Sequence, residues 1–227
     1  MTRTPFADRA AAGRLLARRV AALHLAPPVV VLALPRGGVP VAAEVASRLG
    51  APLDLLIVRK IGVPYQPELA MGAVVDGAEP VVVRNEDVIR GADITQEEFD
   101  RVRDRELAEI ERRRARYLAG RRPVEIAGKT VIVVDDGIAT GATVRAAIRG
   151  LRRKKPAEIV LAVPVAPPDT VEMLEKEADR VVCLEQPSFF QAIGLHYRDF
   201  RQVADEEVIA TLAAFPPAAS AKDKDQA

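Results

Sequence analysis

The chain has very little of what most metal and redox sites need. Its 227 residues include one cysteine and two histidines. A single cysteine, Cys183, excludes an internal disulfide and any multi-thiolate metal site, and fits a reducing compartment. With only His24 and His196, a zinc site built on histidines is excluded too. Charge of one sign is also lacking: 33 basic residues face 32 acidic ones. There is therefore no global polyanion-binding signature, and a basic function would have to come from local clusters. No apolar run approaches a membrane span, and the first 25 residues are too interrupted by arginine and aspartate for a signal peptide. The expected location is the cytoplasm, with no membrane partner.

What remains is an ordinary globular composition, 49% apolar, in which strand and helix patterns alternate. Residues 6–25 read as an amphipathic helix on Phe6, Leu15, Leu16, Val20 and Leu23. VVVLAL follows Pro27-Pro28 as a buried strand, and PRGGVP turns the chain into a helix over 39–49 that ends before Gly50. LDLLIVR (53–59) reads as the next buried strand. KIGVPYQPELAMG is too rich in glycine and proline for regular structure throughout. AVVDGAEPVVV reads as a hairpin around Asp-Gly. Residues 95–118 form a highly charged helix opened by a Thr95/Glu98 capping box, its narrow stripe running through Phe99, Val102, Leu107, Ile110 and Tyr117. That helix is expected to lie across the domain or against a second subunit. A strand at 130–135, a helix at 142–154, a strand at 158–163, a helix at 169–178 and a strand at 180–184 complete an α/β fold with a mainly parallel sheet flanked by helices. Residues 216–227 have the composition of a disordered tail.

The informative stretch is VIVVDDGIATGAT (131–143). Two carboxylates close a buried strand, and a loop of small residues follows. In open α/β sheets ligands bind beyond the carboxyl ends of the strands. A glycine-rich turn entering a helix N-terminus presents N–H groups to a phosphate. Gly137 and Gly141 permit the backbone path, and Thr140 and Thr143 add hydroxyl donors. Carboxylates repel phosphate, so Asp135 and Asp136 should face vicinal hydroxyls, a hydrated divalent cation, or both. A ribose 5-phosphate meets these requirements. The loop is not a Walker A loop, since no lysine follows Gly141.

This stretch resembles the phosphoribosyl-pyrophosphate (PRPP) signature of type I phosphoribosyltransferases, and PRGGVPVA, RKIGVPYQPELAMGAV and CLEQPSFFQAIGLHYRDF sit where that fold places its other loops. The combination resembles a bacterial branch of the family with no assigned acceptor. The resemblance implies a phosphoribosyltransferase-like domain over 1–215, with a helical insertion at about 86–122 and a hood at about 185–200. It implies ribose-5-phosphate binding by Asp135, Asp136, Gly137, Ile138, Ala139, Thr140, Gly141, Ala142 and Thr143. Diphosphate binding falls to Arg36, Gly37, Gly38, Arg59 and Lys60, the first three in a loop where the family often has a non-proline cis peptide. Asp135, Asp136, Lys60 and Arg36 are the catalytic candidates, and Asp136→Asn is expected to end turnover while leaving the domain folded. Mg²⁺ would be held through substrate and water, with Asp135 and Asp136 as its protein side. Residues 60–72 would form a mobile lid with Glu68 near the metal-bound water or a substrate amine, and Phe189, Phe190 and Tyr197 would stack on the acceptor, with His196 near it.

The expected activity is phosphoribosyl transfer from PRPP to a nitrogenous acceptor, such as a nucleobase, in a homodimer. The alternative is a non-catalytic sensor of PRPP or a nucleotide on the same fold, contacting RNA through RRRAR (112–116), RRP (121–123) and RRKK (152–155). Arginines interleaved with glutamates more often form a solvated helix face, so nucleic acid is not the expected partner.

Overall fold

A computed structural model describes residues 4–77, 80–118, 120–121 and 123–215. In chain order it contains α1 (Arg9–Ala21), β1 (Val29–Ala33), α2 (Gly38–Leu49), β2 (Leu53–Leu55), β3 (Val58–Val63), β4 (Gln66–Val75) and β5 (Val81–Arg84). Then follow α3 (Glu86–Gly91), α4 (Gln96–Leu118), β6 (Thr130–Val134), α5 (Ala142–Arg153), β7 (Glu158–Val165), α6 (Pro168–Leu174), β8 (Arg180–Glu185), a 3-10 turn (Ile193–His196) and α7 (Asp205–Ala213). The expected tail, 216–227, lies outside the described residues.

Five strands form a wholly parallel sheet in the order β2-β1-β6-β7-β8. Alternate residues point to opposite faces, and each face has its own core. Val31, Ala33, Ile132 and Val134 join Leu16 and Val20 of α1, Val41 and Val45 of α2, and Val208 and Leu212 of α7. Val30, Leu32, Val131 and Val133 join Ile148 and Leu151 of α5 and Val171 and Leu174 of α6. The crossover through α2 carries the chain from β1 to β2 on one face, and the crossover through α5 carries it from β6 to β7 on the other. The strand order therefore reverses between neighbouring β1 and β6, and this is where such a sheet opens a crevice for ligands.

Three expectations are corrected. First, the 53–59 strand is two strands: β2 stops at Leu55, and Val58 starts β3 in a separate antiparallel sheet, β3-β4-β5. Second, KIGVPYQPELAMG is not an irregular lid but the β3–β4 hairpin, with register shifts at Ile61–Gly62–Val63. Gly62 is needed there, because a Cβ would come within 2.4 Å of the Pro67 carbonyl oxygen. Third, the first helix spans only Arg9–Ala21, capped by Asp8, whose carboxylate accepts from the Ala11 N–H at 2.7 Å. Phe6 bridges to Tyr197 outside it, and Leu15 is 46% exposed. Small residues form much of the buried face instead: at Gly13 a Cβ would lie 2.9 Å from the Val41 carbonyl oxygen, so α1 lies close against α2.

The Asp-Gly hairpin appears as β4–β5. The charged helix is α4, with the capping box formed: Glu98 N–H donates to Thr95 Oγ1 at 3.2 Å, and Thr95 N–H donates to Glu98 Oε2 at 3.0 Å. Of its stripe, Phe99, Val102, Ile110 and Tyr117 are buried and Leu107 is half-buried. It lies across the body, packed on β3, β4 and α7. α3 and α7 were not anticipated.

Candidate functional site

β6 delivers Asp135 and Asp136 to the crevice, and Gly141, at φ 75° and ψ 0°, turns the chain into α5. Only glycine takes this conformation without strain, and a Cβ there would meet the Met173 methyl at 2.9 Å. Ile138 is the loop's anchor, buried, with its N–H donated to the Val165 carbonyl at 2.9 Å. The Thr170 hydroxyl donates to the Ala139 carbonyl at 2.8 Å and holds the loop from behind. Thr140, Ala142 and Thr143 are exposed, whereas Ala139 is buried. Among the described residues no acceptor meets the N–H groups of Ala139, Thr140 and Gly141, and the first turn of a helix leaves further N–H groups open. The result is an anion cradle at a helix N-terminus. Within it Ile138 and Gly137 are packing residues: Gly137 lies under Ile193, where a Cβ would come within 2.6 Å of the Ile193 side chain.

The PRGG loop meets this strand end directly. Its Pro35–Arg36 peptide is cis, as the resemblance implied. A Cβ on Gly37 would be 2.1 Å from Asp136 Oδ2, and one on Gly38 would be 2.6 Å from the Val134 carbonyl oxygen. Both glycines are therefore required for contact between the loops. Gly38 also opens α2, so a second helix N-terminus faces the crevice. Arg36 is turned to Asp205 at the start of α7 (Nη1–Oδ1 3.3 Å). Asp205 also accepts from the Tyr117 hydroxyl at 2.5 Å and pairs with Arg116 at 2.8 Å.

The two aspartates do not share one role. Asp136 is buried and its carboxylate points into the protein, paired with Arg9 of α1 (Nε–Oδ2 2.7 Å). That guanidinium also donates to the Arg201 carbonyl at 2.8 Å and lies 3.9 Å from the Phe200 ring centre. Asp135 accepts the Asp136 N–H at 2.9 Å and keeps a partly accessible side chain. Desolvation, and then the neighbouring Asp136 charge, hold its carboxyl well above the ordinary range. The expectation that both acids face the ligand is thus corrected to Asp135 alone. Asp136→Asn is no longer a clean probe of turnover, since it disturbs a buried ion pair.

Arg59 and Lys60 do not end a parallel strand. They sit on β3, and as neighbours on a strand they diverge. Arg59 reaches α4, where buried Glu106 accepts from it at 2.8 Å. Lys60 lines a cavity shared with Ala142 and Thr143 of the cradle, and its ammonium pairs with Glu68 at 3.0 Å. Glu68 is therefore placed as the partner of Lys60.

Tyr197 is also corrected. It is buried, its hydroxyl donates to the Asp136 carbonyl at 2.5 Å, and its ring packs on Phe6 and Phe200, so it has no face for an acceptor. Phe189 is 78% exposed. Phe190 is half-buried and stacks on His196 with centroids 5.5 Å apart. It borders a groove with Ala139, Thr140, Asp169, Ser188 and Gln191, on the flank of the cradle away from Lys60. Cys183 is half-buried, and burial pushes its thiol up to about 11. The basic clusters are largely consumed internally: Arg112 and Arg113 pair with Glu109, Arg114 with Asp76 and Arg152 with Asp179.

Arg9 escaped the sequence reading. Its partner lies 127 residues away, and neither spacing nor periodicity marks it. Among the described residues no three histidine, cysteine or acidic side chains cluster as a metal site, and no helix is long and apolar enough to cross a membrane.

Residues 8–199 match the family described as "Phosphoribosyl transferase domain". Sequences from two strains of Mycobacterium tuberculosis, CDC 1551 / Oshkosh and ATCC 25618 / H37Rv, both carry the name "Putative phosphoribosyl transferase". Each is 50% identical over 207 residues, which cover 91% of this chain and 46% of theirs. The chain thus spans about half the length of the curated relatives it matches. The crystal structure of TT1426 from Thermus thermophilus is similar at 45% identity and a TM-score of 0.83, covering 93% of this chain and 99% of that one.

Proposed function

This chain belongs to the phosphoribosyl transferase domain family, and on that premise we propose that it transfers the phosphoribosyl group of PRPP to a nitrogenous acceptor and releases diphosphate. The observation that carries the proposal is the pairing of two helix N-termini at the β1/β6 switch point, with Asp135 between them. The α5 cradle, through the N–H groups of Ala139, Thr140 and Gly141 and the Thr140 and Thr143 hydroxyls, takes the 5-phosphate. The α2 start, with Gly37 and Gly38, takes the diphosphate. The two anchors fix the ribose between them with Asp135 beneath it, where a carboxylate stabilises the positive charge that develops as the C1–O bond breaks. Holding donor and acceptor in line supplies much of the remaining rate.

Arg36 is available to the leaving group. Its 3.3 Å contact with Asp205 is longer than the Arg116 and Tyr117 contacts, which remain when it leaves. Lys60, paired with a 94% exposed glutamate, is equally free to move. The acceptor would enter by the groove of Phe190, Asp169 and Gln191. One partly accessible carboxylate, with no three-ligand cluster among the described residues, fits Mg²⁺ carried by substrate phosphates and water, with Asp135 as its protein side. When bound, the ion would neutralise charge on the diphosphate.

The test is diphosphate release from PRPP across purines, pyrimidines and amine acceptors. Release with one acceptor, lost in Asp135→Asn with the fold intact, is the expected result. Tight PRPP binding without release from any acceptor would favour the sensor. Absence of PRPP binding would overturn both readings.

A further inference from the structure

The two flanks of the phosphate cradle differ in charge. The groove on the Thr140 side is lined by Asp169 and by no lysine or arginine among the described residues. On the Thr143 side, between the β3-β4-β5 sheet and the N-terminal half of α5, lies a cavity of about 170 Å³. It is lined by Lys60, Arg84, Arg145 and Arg149 and, among the described residues, by no acid. Transfer from PRPP uses Lys60 and Thr143 but gives no work to the other three cations.

We propose that this cavity is a second anion site, taking a phosphate or diphosphate group that arrives free or as part of a nucleotide. It extends beyond the PRPP reading and does not depend on it. The cations come from three separate elements and converge: Lys60 from β3, Arg84 from the end of β5, and Arg145 and Arg149 from successive turns of α5. Arginine presents a planar fork of donors suited to phosphate oxygens. The Thr143 hydroxyl adds a donor, and the apolar floor, Val58 and Ala73 among it, strengthens the field of the cations above.

The acids that meet these cations stand outside the cavity lining and are easily exchanged. Lys60 holds Glu68, which is 94% exposed, and Arg84 holds Glu86 at 2.7 Å, itself 57% exposed. Arg145 and Arg149 share one carboxylate, Glu177, at 3.2 and 2.6 Å. Four cations thus meet three acids, and a surplus positive charge remains for a ligand. Exposed pairs of this kind contribute little to stability, so an incoming phosphate can replace them. Arg84 is also pre-set, its guanidinium stacked 4.2 Å from the Phe99 ring centre at the start of the insertion helix. Occupation of the site would therefore tie the hairpin that carries Lys60 to α5 and to α4.

Calorimetric titration of the full chain with inorganic diphosphate, and separately with inorganic phosphate and a nucleoside monophosphate, tests the site. The wild type should bind two diphosphates per chain, only one of them displaced by PRPP. In Arg84→Gln/Arg149→Gln the PRPP-insensitive site should weaken by at least about 10-fold, the loss of one strong charged contact, while circular dichroism stays unchanged. The single variant Arg149→Gln should show an intermediate loss. Tighter binding of the nucleotide than of inorganic phosphate at that site assigns the nucleotide as its source, and equal binding assigns the free anion. A single diphosphate site that PRPP displaces fully, or a second site indifferent to both substitutions, would overturn the inference. A variant-sensitive site alone, with no PRPP-displaceable site at all, would instead sink the PRPP reading and leave this one standing.

Discussion

Replacing Arg9 by methionine removes half of a buried ion pair and leaves the other half in place. The two side chains are 10% and 11% exposed and meet at 2.7 Å, so solvent does little to screen them. The same substitution removes a donor to the Arg201 carbonyl and the cation over Phe200. Stranding a buried carboxylate costs about 3–5 kcal/mol. For a chain of this size each kcal/mol lowers Tm by about 2–4 °C, so the expected fall is about 6–20 °C. Urea denaturation followed by circular dichroism measures the free energy. The partner substitution, Asp136→Leu, should cost a similar amount by stranding the arginine. The double variant should be less damaged than the sum of the two by at least about 1 kcal/mol, because two apolar groups in place of a buried pair can be nearly neutral. Strict additivity, or a loss below about 1 kcal/mol for Arg9→Met, would refute the assignment of Asp136 as a fixed internal counter-ion.

Asp135 should show the opposite sign. Its raised carboxyl means that the stability held by the protonated form is present in full below the unfolded value and is lost as pH rises through the folded one. Asp135→Asn should therefore flatten the urea midpoint between pH 4 and 8, with the variant gaining on the wild type toward pH 8; parallel profiles would refute this. Gly38→Ala places a methyl 2.6 Å from the Val134 carbonyl oxygen and should cost about 1–3 kcal/mol in urea, together with diphosphate affinity. Thr95→Ala opens the α4 capping box and should cost about 1 kcal/mol by the same assay. Cys183, pushed from 9.0 to about 11, should react with a disulfide reagent about 100-fold more slowly in the native than in the unfolded chain at pH 8; equal rates would contradict its burial.

The half of the fold around β6 was legible because its signals are local. The run Val131–Val134, the small-residue loop and the helix after it are contiguous, and the Thr95/Glu98 box lies within a single turn. The break at 56–57 was hidden because Leu56 and Ile57 are buried like the strand before them, so the apolar run continues across the gap between two sheets. The β3–β4 hairpin was hidden for a different reason. Gly62 and Pro67 read separately as breakers, yet they face each other across a bulge where only glycine fits. Of the site, the loops were visible and the partners of their side chains were not. Arg9, Glu106 and Asp205 reach Asp136, Arg59 and Arg36 from 127, 47 and 169 residues away, and no pattern in one dimension encodes those meetings.

The reversal of strand order between β1 and β6 has a mechanical consequence. The α2 end of the crevice rests on one core layer, and the α5 end rests on the other. A ligand that grips both ends acts as a caliper across the sheet, its length compared with the offset between two independently packed layers. Trimming a core residue such as Val45 or Ile148, far from any ligand atom, would reset one jaw and not the other, and would alter the fit of a long donor more than that of a single phosphate.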